Sequence, residues 1–188
     1  IRERLALQVA FFDAHPRYVA VGGKILLIDP DGQPIREACG GISHEEIDVS
    51  HLLGRGGALA HPAAMMRREA VYAVGGYRPH LAAAEDLDLF LRLAERGRLA
   101  NIPQVVLKYR QHSDSISHAH SDLTRKCTEE ALLDAYVRRQ LTMPELKPMV
   151  DPFPLPPAAH HRKWAWWALE AGNKATARKH AWQALRLD

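Results

Sequence analysis

The chain has 188 residues, 47% of them hydrophobic and 25% charged, with a formal net charge of +3 and a pI near 9.0. That is enough for one domain with a real core and a small appendage, and it excludes a disordered or fibrous chain. The mild, dispersed basicity suits an anionic ligand or an acidic membrane surface without calling for nucleic acid, and two cysteines, Cys39 and Cys127, exclude a disulfide framework and point to a reducing compartment.

The chain opens on Ile1 rather than methionine, within what reads as helix, so its natural beginning is expected upstream. Leu5, Val9 and Phe12 recur at helical spacing and predict a helix over 2–14, ended by His15-Pro16. Val19 to Ile28 is β-rich. Asp29-Pro30-Asp31-Gly32 is a turn, and Gln33 to Arg36 is a returning strand. Residues 37–55 are polar and read as a surface excursion with a short helix near 45–53. Gly54-Arg55-Gly56-Gly57 has neither P-loop nor dinucleotide spacing, so it is weak evidence for phosphate binding.

A short apolar segment, 58–66, is interrupted by His61-Pro62, and a short helix over 67–74 ends at Gly75. Gly75 and Gly76 open a loop that delivers Glu85 and Asp86 to the start of a helix stopped by Gly97. At 100° per residue, Asp86, Leu89, Phe90 and Leu93 share one face, and Asp88, Arg92, Glu95 and Arg96 lie on another. Asp88 therefore reads as a solvated acid paired with Arg92, and Asp86 as a carboxylate at the rim of the apolar stripe. Acids in a first turn also serve simply to complement the helix dipole.

Ile102 to Tyr109 reads as a strand, followed by a polar loop through Ser117 and a helix over 121–141. Six prolines between Met143 and Pro157 mark a linker. The tail reads as a helical hairpin joined at Gly172-Asn173, with Trp164, Trp167, Ala168 and Ala171 facing one way on its first helix. Ala177, Ala181, Ala184 and Leu185 form the matching face of the second, and the tryptophans are assigned to hairpin packing. A single hairpin must dock on the main domain or on another chain. The histidines at 118, 120, 160 and 161 lack the spacing of a zinc site. The domains so read are 1–142, the linker 143–157 and the hairpin 158–188.

The ordered series His61-Pro-Ala-Ala-Met-Met-Arg-Arg-Glu, Val74-Gly-Gly-Tyr-Arg, Ala84-Glu-Asp-Leu-Asp-Leu-Phe-Leu-Arg-Leu and Tyr109-Arg-Gln-His-Ser-Asp-Ser-Ile-Ser resembles the second half of the family-two glycosyltransferases. The resemblance covers roughly residues 2–117, with Arg4-Leu5 and Gln8 resembling the helix after that family's metal-binding Asp-X-Asp motif. It implies an α/β fold: the acceptor-side half of an A-type, inverting nucleotide-sugar transferase, with a mixed sheet and helices, plus the hairpin. The donor half and its Asp-X-Asp motif would lie upstream, so the fragment itself is expected to be inactive.

The same resemblance implies Asp86 as general base and Glu85 beside it. It places Gly75, Gly76, Tyr77, Arg78 and His61 at the acceptor, with the simple closing of a turn as the other reading of His61. For Arg110 a diphosphate contact and a structural salt bridge stand side by side. His112 is implied as a metal ligand or diphosphate contact, against the reading of an ordinary loop histidine. The implied cofactor is a divalent metal, Mn or Mg, in the intact enzyme, with none bound to the fragment. The partners implied are a nucleotide-sugar donor and a hydroxyl acceptor (glycan, lipid-linked sugar or protein), with no nucleic acid. Peripheral membrane association and self-association through the truncated domain's surface are further expectations. The setting it implies is cell-surface polysaccharide biosynthesis, in the cytoplasm, either free or at the inner face of the membrane. The alternative is a non-catalytic interaction module that works through the hairpin.

Overall fold

A computed structural model describes residues 1–112, 121–145 and 155–188. The expectations for Ser113 to Ser117, for His118 and His120, and for the linker between 146 and 154 fall outside these residues. The elements in order are α1 (Arg4–Ala14), β1 (Tyr18–Ile28), β2 (Pro34–Ala38), α2 (His44–Leu52), β3 (Met65–Met66), α3 (Arg68–Ala73), α4 (Glu85–Ala94), β4 (Arg98–Arg110), α5 (Ser121–Arg138), α6 (Pro157–Glu170) and α7 (Lys174–Leu187). Short 3-10 turns cover His61–Ala63 and Pro79–Leu81. β1 pairs antiparallel with both β2 and β3. β4 also pairs with β1, and the bonds Arg98 N to Arg17 O and Gln111 N to Ile28 O show the two strands running the same way. The fold is thus mixed α/β with a mixed sheet. Among the described residues no helix is long and apolar enough to cross a membrane.

The chain forms two compact units, the first comprising Ile1–Lys24, Cys39–Leu107 and Asp122–Met149. Its core gathers Val19 and Ala20 of β1, Ile47 of α2, Leu59, Leu89, Phe90 and Leu93 of α4, and Leu99 of β4. Gly22 and Gly23 let β4 come close: a Cβ at Gly22 would meet Asn101 Oδ1 at 2.3 Å, and one at Gly23 would meet Val106 Cγ1 at 2.7 Å. Buried polar side chains tie the loops to this core. Gln8 Nε2 donates to Val21 O and Ala63 O, and Asn101 Nδ2 donates to Gly41 O and Ala58 O. A second apolar cluster sets Leu87 and Leu91 of α4 against Leu132, Ala135 and Tyr136 of α5.

Helix α4 is therefore covered on both sides, and every residue from Leu87 to Leu93 is buried. This corrects the expectation of a wet face carrying Asp88 and Arg92: Asp88 is 0% exposed and Arg92 5%. The segment 37–55 is likewise no mere surface excursion. Ser43 and Glu46 form a reciprocal capping box that starts α2, and Ile47 and His51, one turn apart, bury the helix's inner face. β4 begins at Arg98, earlier than expected, because Arg98 already pairs with Arg17.

The second unit comprises Ile25–Ala38, Lys108–Ser121 and Val150–Asp188. Here β1 pairs with β2 from Ile25↔Ala38 to Ile28↔Pro34, with an irregularity between Leu27 and Ile28. Asp29 closes the turn by accepting from the amides of Asp31 and Gln33 at 3.0 and 2.8 Å. Leu27 and Ile35 pack on Trp164, Ala168 and Ala177 of the hairpin. The second helix does not bury the face expected. Thr176, Ala177, His180 and Ala184 are inside, while Ala181 and Leu185 are exposed. The cause is Asp29, which is fully buried and draws His180 (Nε2 at 3.1 Å) and Lys179 toward it. Only Trp164 of the four tryptophans is fully packed, and Trp166 and Trp182 stand 64% and 65% exposed.

Candidate active site

The site is built on the N-terminal turn of α4. Gly75 and Gly76 both adopt left-handed backbone, at φ 79° and 69°, with open space where a Cβ would sit. They are needed for conformation rather than for room: their amides bond to Tyr72 O and Val71 O and end α3. The chain then turns through Tyr77 and Arg78 to the 3-10 turn and reaches Glu85 and Asp86. Both acids are half-buried, with no side-chain cap ahead of them and no cation paired to either among the described residues. Asp86 Oδ1 lies 2.7 Å from the amide of Leu87.

Tyr77 joins this turn to His61. Its hydroxyl lies 2.7 Å from His61 Nε2, and the two rings meet edge to face. Burial, then the charges of Asp86 and Glu85, push the Tyr77 phenol above its usual range, so it stays protonated at neutral pH and sits within the field of both acids. Phe90, one turn below Asp86, floors the cluster. His61 approaches its ring edge at 6.1 Å between centroids, and His51 stacks on it at 5.6 Å and 6°. The structure thus brings together Asp86, Glu85, Tyr77 and His61.

Sequence reasoning missed His51. It is 1% exposed, with no hydrogen-bond partner for either ring nitrogen among the described residues. Burial pushes it down to about 4, against the opposing fields of Asp48 and Asp86, so it is a neutral ring at physiological pH. The available signal was its spacing of four from Ile47 on the same helix.

Asp88 and Arg78 belong to a different arrangement. Arg92 holds Asp88 Oδ2 through both Nε and NH2, and donates from NH1 to Val74 O at 2.6 Å. Arg78 stands 3.5 Å from the other Asp88 oxygen and hydrogen-bonds Asp134 of α5. Arg138 also binds Asp134 and continues to Glu95. Arg78 is therefore engaged by two acids below the loop, and Asp88 is buried in an ion-pair chain with no open side.

Arg110 and His112 lie in the second unit. Arg110 NH1 donates to the carbonyls of Asp29 and Pro30 at 3.1 and 2.6 Å, clamping the β1–β2 turn, and His112 is exposed. Among the described residues no three His, Cys, Asp or Glu side chains come together to hold a metal ion. These residues by themselves do not make a metal site.

No protein-family model matches the chain. Among curated proteins it is similar to the amylovoran biosynthesis glycosyltransferase AmsE of Erwinia amylovora, 28% identical over 116 residues, 61% of this chain. The chain spans about two fifths, 42%, of that relative's length. This similarity supports a relationship to the glycosyltransferases, and the mixed α/β fold is compatible with it.

Proposed function

We propose that this chain is the acceptor-side part of an inverting, A-type glycosyltransferase, and that Asp86 is its general base. The observation that carries the reading is the contrast within α4. The Glu85–Asp86 pair is half-open, with no cation paired to it among the described residues, and its charges reach the Tyr77 phenol that bonds His61, whereas Asp88 is sealed. The Asp86 carboxylate takes the proton of an acceptor hydroxyl as its oxygen attacks the anomeric carbon. The bond from that carbon to the diphosphate oxygen breaks, and its electron pair leaves with the nucleoside diphosphate. Glu85, Tyr77 and His61 supply polar contacts to the acceptor, and the left-handed Gly75-Gly76 turn lets backbone approach it. A divalent metal held by residues outside those described, with His112 as a contributor, is part of the same reading, and no step above depends on it. The donor is a nucleotide sugar and the acceptor a hydroxyl of a glycan or lipid-linked sugar, in polysaccharide assembly.

The test is made in the protein that carries this chain with its donor-binding part. Release of nucleoside diphosphate from a panel of sugar nucleotides is followed for the parent and for Asp86→Asn, and the anomeric configuration of the product is read by NMR. Loss of turnover with donor binding kept, and an inverted product, support the reading. Full activity of Asp86→Asn, or a retained anomer, overturns it.

A further inference from the structure

The hairpin carries a repeat. Residues 162–169 and 178–185 both read Arg-Lys-X-Ala-Trp-X-Ala-Leu, with only Trp164/His180 and Trp167/Gln183 differing. The two copies are also used alike. Trp164 and His180 are buried, as are Ala168 and Ala184, while Arg162, Trp166 and Leu169 are exposed on α6 and Arg178, Trp182 and Leu185 on α7. The helical wheel explains the match. Each exposed triplet lies on the arc opposite the buried pair of its own helix; Trp164 meets His180, and Trp164 and Ala168 pack on Leu27 and Ile35, so both triplets lie on the hairpin's outside. Core packing accounts for the alanines. It does not account for a tryptophan and a leucine held in water twice.

Charge says what covers this surface. Residues 157–188 hold six basic and two acidic side chains, a net of +4 against +3 for the whole chain. Part of that charge is spent internally, as Lys179 pairs with Asp29 and Asp31, and Arg162 with Asp188. Lys174, Arg178 and Arg186 are exposed and pair with no acid among the described residues. We propose that this outer face is a docking surface for an anionic lipid membrane: the two tryptophans and two leucines enter the headgroup layer, and the basic side chains meet lipid phosphates. Tryptophan is the residue suited to that boundary, with an apolar ring and a polar N–H, and basic residues beside it are drawn to anionic lipid. A second copy of the chain fits poorly, because it would set one basic face against another. Single-stranded nucleic acid would use the rings and the positive charge but leave Leu169 and Leu185 without a partner. The proposal does not rest on the transferase reading.

The experiment mixes the 188-residue chain with vesicles of phosphatidylcholine alone and with roughly a third phosphatidylglycerol, reading flotation and tryptophan emission. The expected result is binding to the anionic vesicles at least about tenfold tighter than to neutral ones, with a blue-shifted emission and loss on adding salt. Trp166→Ser/Trp182→Ser should lose the shift and most of the binding. Arg178→Gln/Arg186→Gln should lose the preference for anionic lipid. These positions are exposed, so circular dichroism should match the parent. Equal binding to both vesicles, no binding, or parent-like binding by the tryptophan variant overturns the proposal. So does a dimer, or an oligonucleotide complex, that disappears in the tryptophan variant while vesicles are ignored.

Discussion

Asp86 and Asp88 stand two residues apart on α4, and they differ in what the rest of the chain brings to each. Asp86 lies in the first turn of the helix, half-buried, with its charge acting on the Tyr77 phenol. Asp88 lies where α5 closes over the helix, between Arg92 and Arg78. One carboxylate is half-open at the head of the helix, and the other holds two arginines in place. The second unit repeats the latter arrangement with other residues. Asp29, fully buried, is pushed up by desolvation. Lys179, the Gln33 amide and His180 outweigh that and hold it below the usual carboxylate range. A buried acid surrounded by donors is thus an anchor in both units, and the partly open acid pair is the exception.

The contrast breaks most sharply under substitution of the two acids. If Asp86 is the base proposed, Asp86→Asn should lower turnover of the intact protein by about 10²- to 10⁴-fold, with thermal stability changed by no more than about 0.5 kcal/mol. Asp88→Ala should do the reverse to stability. It leaves Arg92 buried without its counter-charge, at about 3–5 kcal/mol, read by urea unfolding of this chain. Pairing Asp88→Leu with Arg92→Met should recover most of that loss, since both charges then leave the interior together. If Asp88→Ala unfolds like the parent, the buried pair is not an anchor and the contrast with Asp86 fails.

His51 sharpens the comparison through pH. Its folded value is depressed, so the folded chain keeps the ring neutral while the unfolded chain takes up a proton below about 6.5. The stability it supports is complete above that pH and is lost as pH falls from 6.5 toward about 4, by up to roughly 3 kcal/mol. His51→Phe should flatten this part of the stability–pH curve, and an unchanged slope would refute the assignment. The smallest effect is expected at Arg125 and Glu129, an exposed i,i+4 pair on α5. Glu129→Ala should shift stability by less than about 0.5 kcal/mol.

Local chemistry was enough to read much of this protein from its sequence. The Asp29–Gly32 turn, the helix over 85–94 with its acid pair at the head, and the hairpin joined at Gly172-Asn173 all follow from spacing and turn residues, because those act between near neighbours. The position of Asp86 at a rim, and the pairing of Asp88 with Arg92, were also legible, since both are set by helical periodicity. Whether that pair is wet or dry was not. The wheel supposes one face toward the core and one toward water, and α4 has α5 on the side that the wheel assigns to solvent. The same limit hid His51, whose burial depends on Phe90, and His180, whose inward turn depends on Asp29, 151 residues earlier in the chain. Which side chains are desolvated is decided by the elements that pack against them. Those elements are distant in sequence, so the electrostatic roles of these acids and histidines belong to the tertiary structure alone.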